Sequence, residues 1–128
     1  MNALTFTFEI DRDNMLSAND REHYRPRARR TAWLRQHGAD VVRGAAEAGG
    51  PLGPVVDVEV GVQWPDRRRR DTPNVYPTVK ALLDGMVDAG LLVDDRDDVV
   101  RRTVFEAMPG RCQPGRVLVA VSVVEVDS

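Results

Sequence analysis

The chain has 128 residues, of which 42% are hydrophobic, and its formal net charge of −2 and single cysteine fit one compact domain. No apolar run approaches the roughly 20 residues of a membrane-spanning helix, the N-terminus lacks the layout of a secretory signal, and one cysteine excludes an intrachain disulfide. We therefore expect a single domain over residues 1–128 of a cytoplasmic protein without a membrane partner.

The net charge conceals a separation of positive and negative residues along the chain. Arginines gather between Arg21 and Arg35 and again in the block Arg67–Arg70, whereas acids gather between Asp94 and Asp98. Because the distribution of charge sets the local potential, a net charge of −2 does not exclude a nucleic-acid partner.

The first half of the chain predicts a strand, a loop and a helix. Residues 4–10 alternate apolar and polar side chains, a period of two that is typical of a half-buried strand. Residues 11–30 are polar, basic and irregular, so we expect an extended loop there. From Thr31, a candidate N-cap, apolar residues recur at near-helical spacing until Gly49 and Gly50, which predicts the first helix.

The second half predicts a strand, a helix and two further strands. Alternation over Val56–Trp64 indicates a strand, and an apolar stripe over Val75–Ala89, with Asn74 as a candidate N-cap, indicates a helix. Val99–Ala107 and Arg116–Val126 indicate two strands whose turn-rich connection favours a hairpin. The order β-α-β-α-β-β predicts an α/β (α+β) fold, a two-layer sandwich of two helices on a mixed sheet.

Acidic clusters that lie close to arginines favour phosphodiester chemistry. Hard divalent cations prefer carboxylate oxygens, polarise phosphates and generate hydroxide from bound water. Lys80 lies in the N-terminal half of the second predicted helix and Asp84 lies further along it, against the helix dipole and in the less favourable i,i+4 orientation. Such local violations are typical of functional sites, although an ordinary surface ion pair is the alternative reading. His23 and His37 lack the spacing of a zinc site.

The segment from Trp64 to Val100 resembles the RusA family of Holliday-junction resolvases. The resemblance rests on an arginine run, an Asp that ends it, an Asn, a helical Lys and a downstream Asp pair, here Arg67–Arg70, Asp71, Asn74, Lys80 and Asp94–Asp95. A weaker match lies in a polar N-terminal loop that contains Ser17, Asn19, Arg21 and His23.

This resemblance implies a metal-dependent, structure-selective DNA endonuclease that resolves Holliday junctions by paired nicks during recombination and repair. The implied partners are a four-way DNA junction and a second copy of the chain in a homodimer. The implied catalytic residues are Asp71, Lys80 and Asp95. The implied ligands of Mg²⁺, or of Mn²⁺ in its place, are Asp71, Asp95, Asn74 and Asp94. The implied DNA contacts are Arg67, Arg68, Arg69, Arg70, Asn19, His23, Arg25 and Arg27.

The chain departs from the family pattern at Pro73, where the family has a further acid. A proline side chain cannot bind a metal ion, so Asn74, Asp84 and Asp94 are the candidates for the missing ligand. A junction-binding or nucleic-acid-binding protein with impaired catalysis is the alternative function.

The second predicted helix sets a geometric condition on the site. This helix is about 22 Å long and separates Asp71 from Asp95 in the sequence. For both acids to serve one site within one chain, the link from Leu91 to Asp95 has to turn back. Five extended residues reach at most about 17 Å, so residues 71–74 also have to fold alongside the helix. Otherwise Asp95 would meet Asp71 of a partner.

Overall fold

The computed structural model describes residues 3–18 and 24–126, which form two helices and a four-stranded sheet. The elements are β1 (Ala3–Asp11), a 3-10 turn (Arg12–Asn14), α1 (Tyr24–Gly49), β2 (Val56–Gln63), a 3-10 turn (Thr72–Val75), α2 (Tyr76–Asp88), β3 (Val100–Ala107) and β4 (Arg116–Glu125). The expected α/β fold with two helices and a mixed sheet is confirmed. Within the described residues, no helix has both the length and the hydropathy that crossing a membrane requires.

The strand order in the sheet is β1-β4-β2-β3. β4 pairs antiparallel with β1 and β2, whereas β3 pairs parallel with β2 across the connection that contains α2. The predicted hairpin between β3 and β4 is therefore wrong, because β2 lies between them. The burial of the two strands explains this order: alternate residues of β4 are fully buried and the rest half-buried, which suits a central strand, whereas β3 is mostly exposed and charged, which suits an edge.

One face of the sheet and the inner faces of both helices enclose a single apolar core. The buried side chains alternate along β2 and β4 and meet apolar residues that recur at helical spacing on α1 and α2. Members from β1, β2, β4 and both helices include Phe8, Ile10, Leu34, Val42, Val58, Val60, Val79, Leu82, Met86, Val119 and Val121.

α1 includes residues 24–30, which the sequence assigned to a loop, so that prediction is wrong for this segment. Pro26 is the third residue of the described helix, where a missing N–H costs nothing because the first N–H groups of a helix have no partner within it. Thr31 lies inside α1 and is not its N-cap. Its hydroxyl donates a hydrogen bond of 2.9 Å to the carbonyl oxygen of Arg27, one turn earlier.

α1 and α2 approach each other to backbone contact at two glycines. A Cβ atom at Gly85 would lie 2.0 Å from the carbonyl oxygen of Arg35, and one at Gly38 would lie 2.5 Å from the carbonyl oxygen of Leu82. Both distances are far below the 3.5 to 4.0 Å or so at which non-bonded carbon atoms attract. Only glycine fits at these two positions, and this fixes the distance between the helices.

Gly85→Ala is expected to lower the free energy of unfolding by about 3 kcal/mol, because the new methyl group has to push two backbones apart. Gly44→Ala is the matched control, since a Cβ there meets nothing within 4 Å and α1 is continuous around it. That change is expected to add about 0.5 to 1 kcal/mol through helix propensity. Urea unfolding measures both, and equal effects of the two substitutions would contradict the close contact.

His37 on α1 is a titratable group within an aromatic cluster. Its ring stacks on Trp33 with centroids 4.8 Å apart and meets Phe8 edge-on at 5.6 Å. Its Nε2 atom is buried and has no hydrogen-bond partner within the described part of the chain. Burial lowers the pKa of His37 below its ordinary value, and the opposing effect of Asp40 is smaller.

The unfolded chain therefore binds a proton at His37 near pH 6.5, whereas the folded chain binds it only at lower pH. The free energy of unfolding is expected to fall as the pH drops through about 6.5 towards the lowered pKa. His37→Phe keeps an aromatic ring but removes the titration, so its stability should fall less over the same range. Urea unfolding between about pH 8 and pH 5 measures the two slopes, and identical slopes would count against this account.

Candidate functional site

An open cavity of about 720 Å³ lies between the first 3-10 turn, the end of β2 and the start of α2. Its apolar wall contains Met15, Leu16, Trp64, Pro65, Val75 and Val117. Its polar lining contains Arg12, Ser17, Arg68, Arg69, Arg70, Asp71 and Asn74. The structure thus brings Asp71 and Asn74 together with Arg68, Arg69 and Arg70 in one cavity.

Thr78 on α2 holds one wall of this cavity in place. Its side chain is fully buried, and its hydroxyl donates to the carbonyl of Leu16 and accepts from the N–H of Leu16, both at 2.8 Å. The N–H of Ala18 donates to the carbonyl of Asn74, also at 2.8 Å. These three bonds attach residues 16–18 to the start of α2.

Asn74 does not cap α2, so that prediction is wrong. The 3-10 turn Thr72–Val75 leads directly into the helix, which begins at Tyr76 with Val75 as N-cap and with no side-chain cap bond. The N–H of Asn74 donates to the carbonyl of Asp71 at 2.9 Å, which keeps these two residues side by side. Asn74 lines the cavity instead.

Arg70 differs from the other members of the arginine block because its side chain is only 15% exposed. Its guanidinium lies 4.5 Å above the Trp64 ring and donates to Asp66 at 2.6 Å. Hydrogen bonds from Arg70 and from the Arg68 N–H lower the pKa of Asp66 to about 2. Arg70 therefore holds the loop, whereas Arg67, Arg68 and Arg69 are exposed.

Lys80, Asp84 and Asp95 form a second polar group, further along α2. The Lys80 ammonium donates to Asp84 Oδ1 at 2.8 Å and also to Asp95 Oδ2. The side chains of Asp84 and Asp95 are 27% and 18% exposed. One lysine thus joins two half-buried carboxylates from different segments.

The two carboxyl groups differ in their affinity for protons. Burial, followed by a hydrogen bond with Asp95, raises the pKa of Asp84 above its ordinary value. The bond with Asp84, followed by the bond from Lys80, lowers the pKa of Asp95 to about 2. Burial disfavours the charged form of Lys80, but the bonds to both acids outweigh it and raise the Lys80 pKa. Asp95 therefore keeps its negative charge while Asp84 is the first to take up a proton as the pH falls.

The link after α2 turns back, which is the first part of the geometric condition. Gly90 adopts a φ of 87°, and Leu91 and Leu92 are buried immediately after it. The chain then brings Asp95 to Lys80 of the same molecule. Asp95 does not line the cavity that contains Asp71, so the two acids belong to two separate groups.

The predicted metal ligands are divided between these two groups. Asp71 and Asn74 line the cavity, whereas the Oδ1 atom of Asp94 accepts the Asp95 N–H at 2.7 Å. Within the described ranges, no three His, Cys, Asp or Glu side chains lie together as a potential metal site. The chemistry of these donors still suits Mg²⁺, which binds through one or two carboxylates, retains several waters and takes further ligands from a substrate phosphate.

The remaining predicted DNA contacts lie on or before α1. Arg27 is half-buried on α1. Outside the described residues lie Asn19, His23 and the side chain of Arg25. The sequence did not identify Trp64, Thr78 or Arg12 as parts of the site, whereas it offered Asp84 as the i,i+4 partner of Lys80 and as one of three candidate ligands. The i,i+4 spacing from Lys80 was the signal that favoured Asp84.

The chain matches no protein-family model, and no significant match to it is found among curated proteins.

Thr78→Val is expected to destabilise the protein by about 2 to 4 kcal/mol, because it leaves the N–H and carbonyl of Leu16 buried without a partner. Thr78→Ser is the matched control: it keeps the hydroxyl and loses one methyl group, at a cost of about 1 kcal/mol. Urea unfolding gives both values, and hydrogen exchange at the Leu16 amide should accelerate only in Thr78→Val. A Thr78→Val variant as stable as Thr78→Ser would rule out this role.

Proposed function

We propose that the chain is a metal-dependent endonuclease that acts on branched DNA, the activity that its resemblance to the RusA family implies. The observation that carries the proposal is the cavity in which Asp71 and Asn74 lie among Arg12, Arg68 and Arg69. The DNA backbone is anionic and would be repelled by the Asp71 carboxylate. Cationic side chains around this acid offset that repulsion. The same cavity therefore supplies both phosphate contacts and oxygen ligands.

The exposed arginines are suited to positioning DNA without reading its sequence. Arg67, Arg68 and Arg69 follow the end of β2 and have exposed side chains. Charged contacts of this kind engage phosphate oxygens and fix the register of the duplex. Because Arg70 secures the loop against Trp64, its neighbours can extend from a fixed backbone.

In this proposal Asp71 and Asn74 would hold the cation in the cavity. Asp95, which lies in the separate Lys80 group and whose N–H donates to Asp94, would join them only when a DNA substrate brings the two groups together. Bound Mg²⁺ or Mn²⁺ would polarise the scissile phosphate and lower the pKa of a water molecule. The hydrogen bond with Asp84, followed by the bond from Lys80, keeps Asp95 ionised, which a metal ligand has to be. Asp84, which shares Lys80 with Asp95, takes the place of the acid that is missing at Pro73.

The alternative is a junction-binding protein with impaired catalysis. Two observations favour it: Lys80 already bonds both nearby carboxylates, and within the described residues no three potential metal ligands converge. In that case the arginines would still bind branched DNA, but no cation would be held for hydrolysis.

The proposal includes a homodimer. Two copies related by a two-fold axis would place two cuts at equivalent positions of a four-way junction. Paired cuts of this kind serve recombination and repair, and we propose this role in the cytoplasm.

Incubation of the protein with a labelled four-way junction is expected to give cleavage with Mg²⁺ or Mn²⁺ and none with EDTA. Asp71→Asn should reduce cleavage by 100-fold or more, on the order of a lost catalytic group, while binding of the junction in EDTA persists. Asp97→Asn is the matched control, because it makes the same change at an exposed acid near the Asp pair.

Cleavage by the wild-type chain but not by Asp71→Asn, with Asp97→Asn fully active, supports the proposal. Junction binding at saturation without any cleavage in either metal would reject the nuclease and leave the alternative function.

A further inference from the structure

β3 is an edge strand with one row of unpaired backbone groups. The Met108 N–H donates to the carbonyl of Val62 at 2.8 Å, and backbone groups alternate in direction along a strand. From Arg102 onwards, the backbone N–H and C=O groups of even-numbered residues therefore point towards β2. Those of Thr103 and Phe105 point towards the free edge. No backbone bond to these groups exists within the described residues.

We propose that β3 pairs antiparallel with β3 of a second copy, about a two-fold axis at Val104. In this register Thr103 faces Phe105 of the partner subunit, and Phe105 faces Thr103 of the partner subunit. Each pair forms two backbone hydrogen bonds, so four bonds form from groups that are unpaired in the single chain. The two sheets become one continuous sheet of eight strands. The kind of partner is thus another molecule of this chain.

The charges on β3 select this register. Arg102 and Glu106 lie two residues before and two residues after Val104, on the same face of the strand. An axis at Val104 places Arg102 opposite Glu106 of the partner subunit, and the symmetry makes this ion pair twice.

The neighbouring registers lack these pairs. Unpaired groups have to face unpaired groups, so the axis can move only by whole residues. An axis at Thr103 places Arg102 opposite Val104 of the partner subunit. An axis at Phe105 places Glu106 opposite Val104 of the partner subunit. Of these three registers, the axis at Val104 alone joins opposite charges.

The charged side chains that would form this interface have no ion-pair partner within the described part of the molecule. Arg102 and Glu106 are exposed and make no ion pair there, whereas the adjacent Arg101 binds Asp57 at 2.7 Å. Val104 is a large apolar residue that is 39% exposed. In the proposed dimer it would be covered by Val104 of the partner subunit. The edge therefore has opposite charges without partners on either side of an uncovered apolar residue.

The edge also lies beside the candidate site. The Phe105 ring packs edge-on against Tyr76 at 6.2 Å, and Tyr76 follows Asn74 after one residue. Pairing at β3 would thus fix the spacing between two cavities, one in each copy. The interface itself rests on the strand and does not depend on whether the chain cuts DNA.

The first test measures the dimer dissociation constant by sedimentation across a range of concentrations, without DNA or metal. Arg102→Glu and Glu106→Arg should each raise it by roughly tenfold or more, because two attractive pairs become repulsive. The double variant Arg102→Glu/Glu106→Arg should restore it. Arg111→Glu makes the same charge change in the loop after β3 and should have little effect. A wild-type chain that stays monomeric, or a double variant no better than the single ones, overturns the proposal.

The second test uses cross-linking in a Cys112→Ser background, which removes the single native thiol. At the axis the two Cα atoms would lie about 4.5 Å apart, a distance that a disulfide spans. Val104→Cys should therefore give a disulfide-linked dimer under mild oxidation. Val93→Cys, at a side chain that is 55% exposed, should remain a monomer. Equal cross-linking of both variants contradicts the register, and this holds even if a charge reversal impairs folding.

Discussion

The close contact between α1 and α2 at Gly38 and Gly85 is the constraint on which the remainder of the structure depends. Because no Cβ fits at either position, the helices lie at a distance that only their backbones set. α2 is then fixed relative to the sheet, and it carries the groups that shape the site. Thr78 attaches the segment that follows β1, while Lys80 attaches the segment that follows α2. Packing between two helices thus determines where polar groups from three parts of the chain meet.

The Lys80 group shows how this scaffold separates the properties of two similar side chains. Asp84 and Asp95 share one ammonium group, yet the pKa of Asp84 is raised and that of Asp95 is lowered. Burial on the helix disfavours charge at Asp84, whereas Asp95 collects hydrogen bonds from several directions. An acid that stays ionised and an acid that accepts a proton more readily therefore lie side by side.

The sequence predicted those features that depend on local periodicity. All four strands and the body of both helices followed from alternation or from apolar stripes, and the proximity of Asp71, Asn74 and the arginines followed from their spacing. The position of β4 between β1 and β2 did not, because strand order is decided by how much of each strand has to be buried. The bonds of Thr78 and Lys80 join residues far apart in the sequence, and no local pattern records them.

The arginine block explains how a chain with a net charge of −2 can present a cationic surface. Arg70 stacks on Trp64 and binds Asp66, whose lowered pKa keeps that pair charged over a wide pH range. This partly buried pair restrains a short loop that has no regular structure of its own. The remaining arginines extend from this restrained backbone, so binding of an anion would cost them less conformational freedom. One arginine of the block thus restrains the loop while the others are exposed, a difference that burial reveals and composition does not.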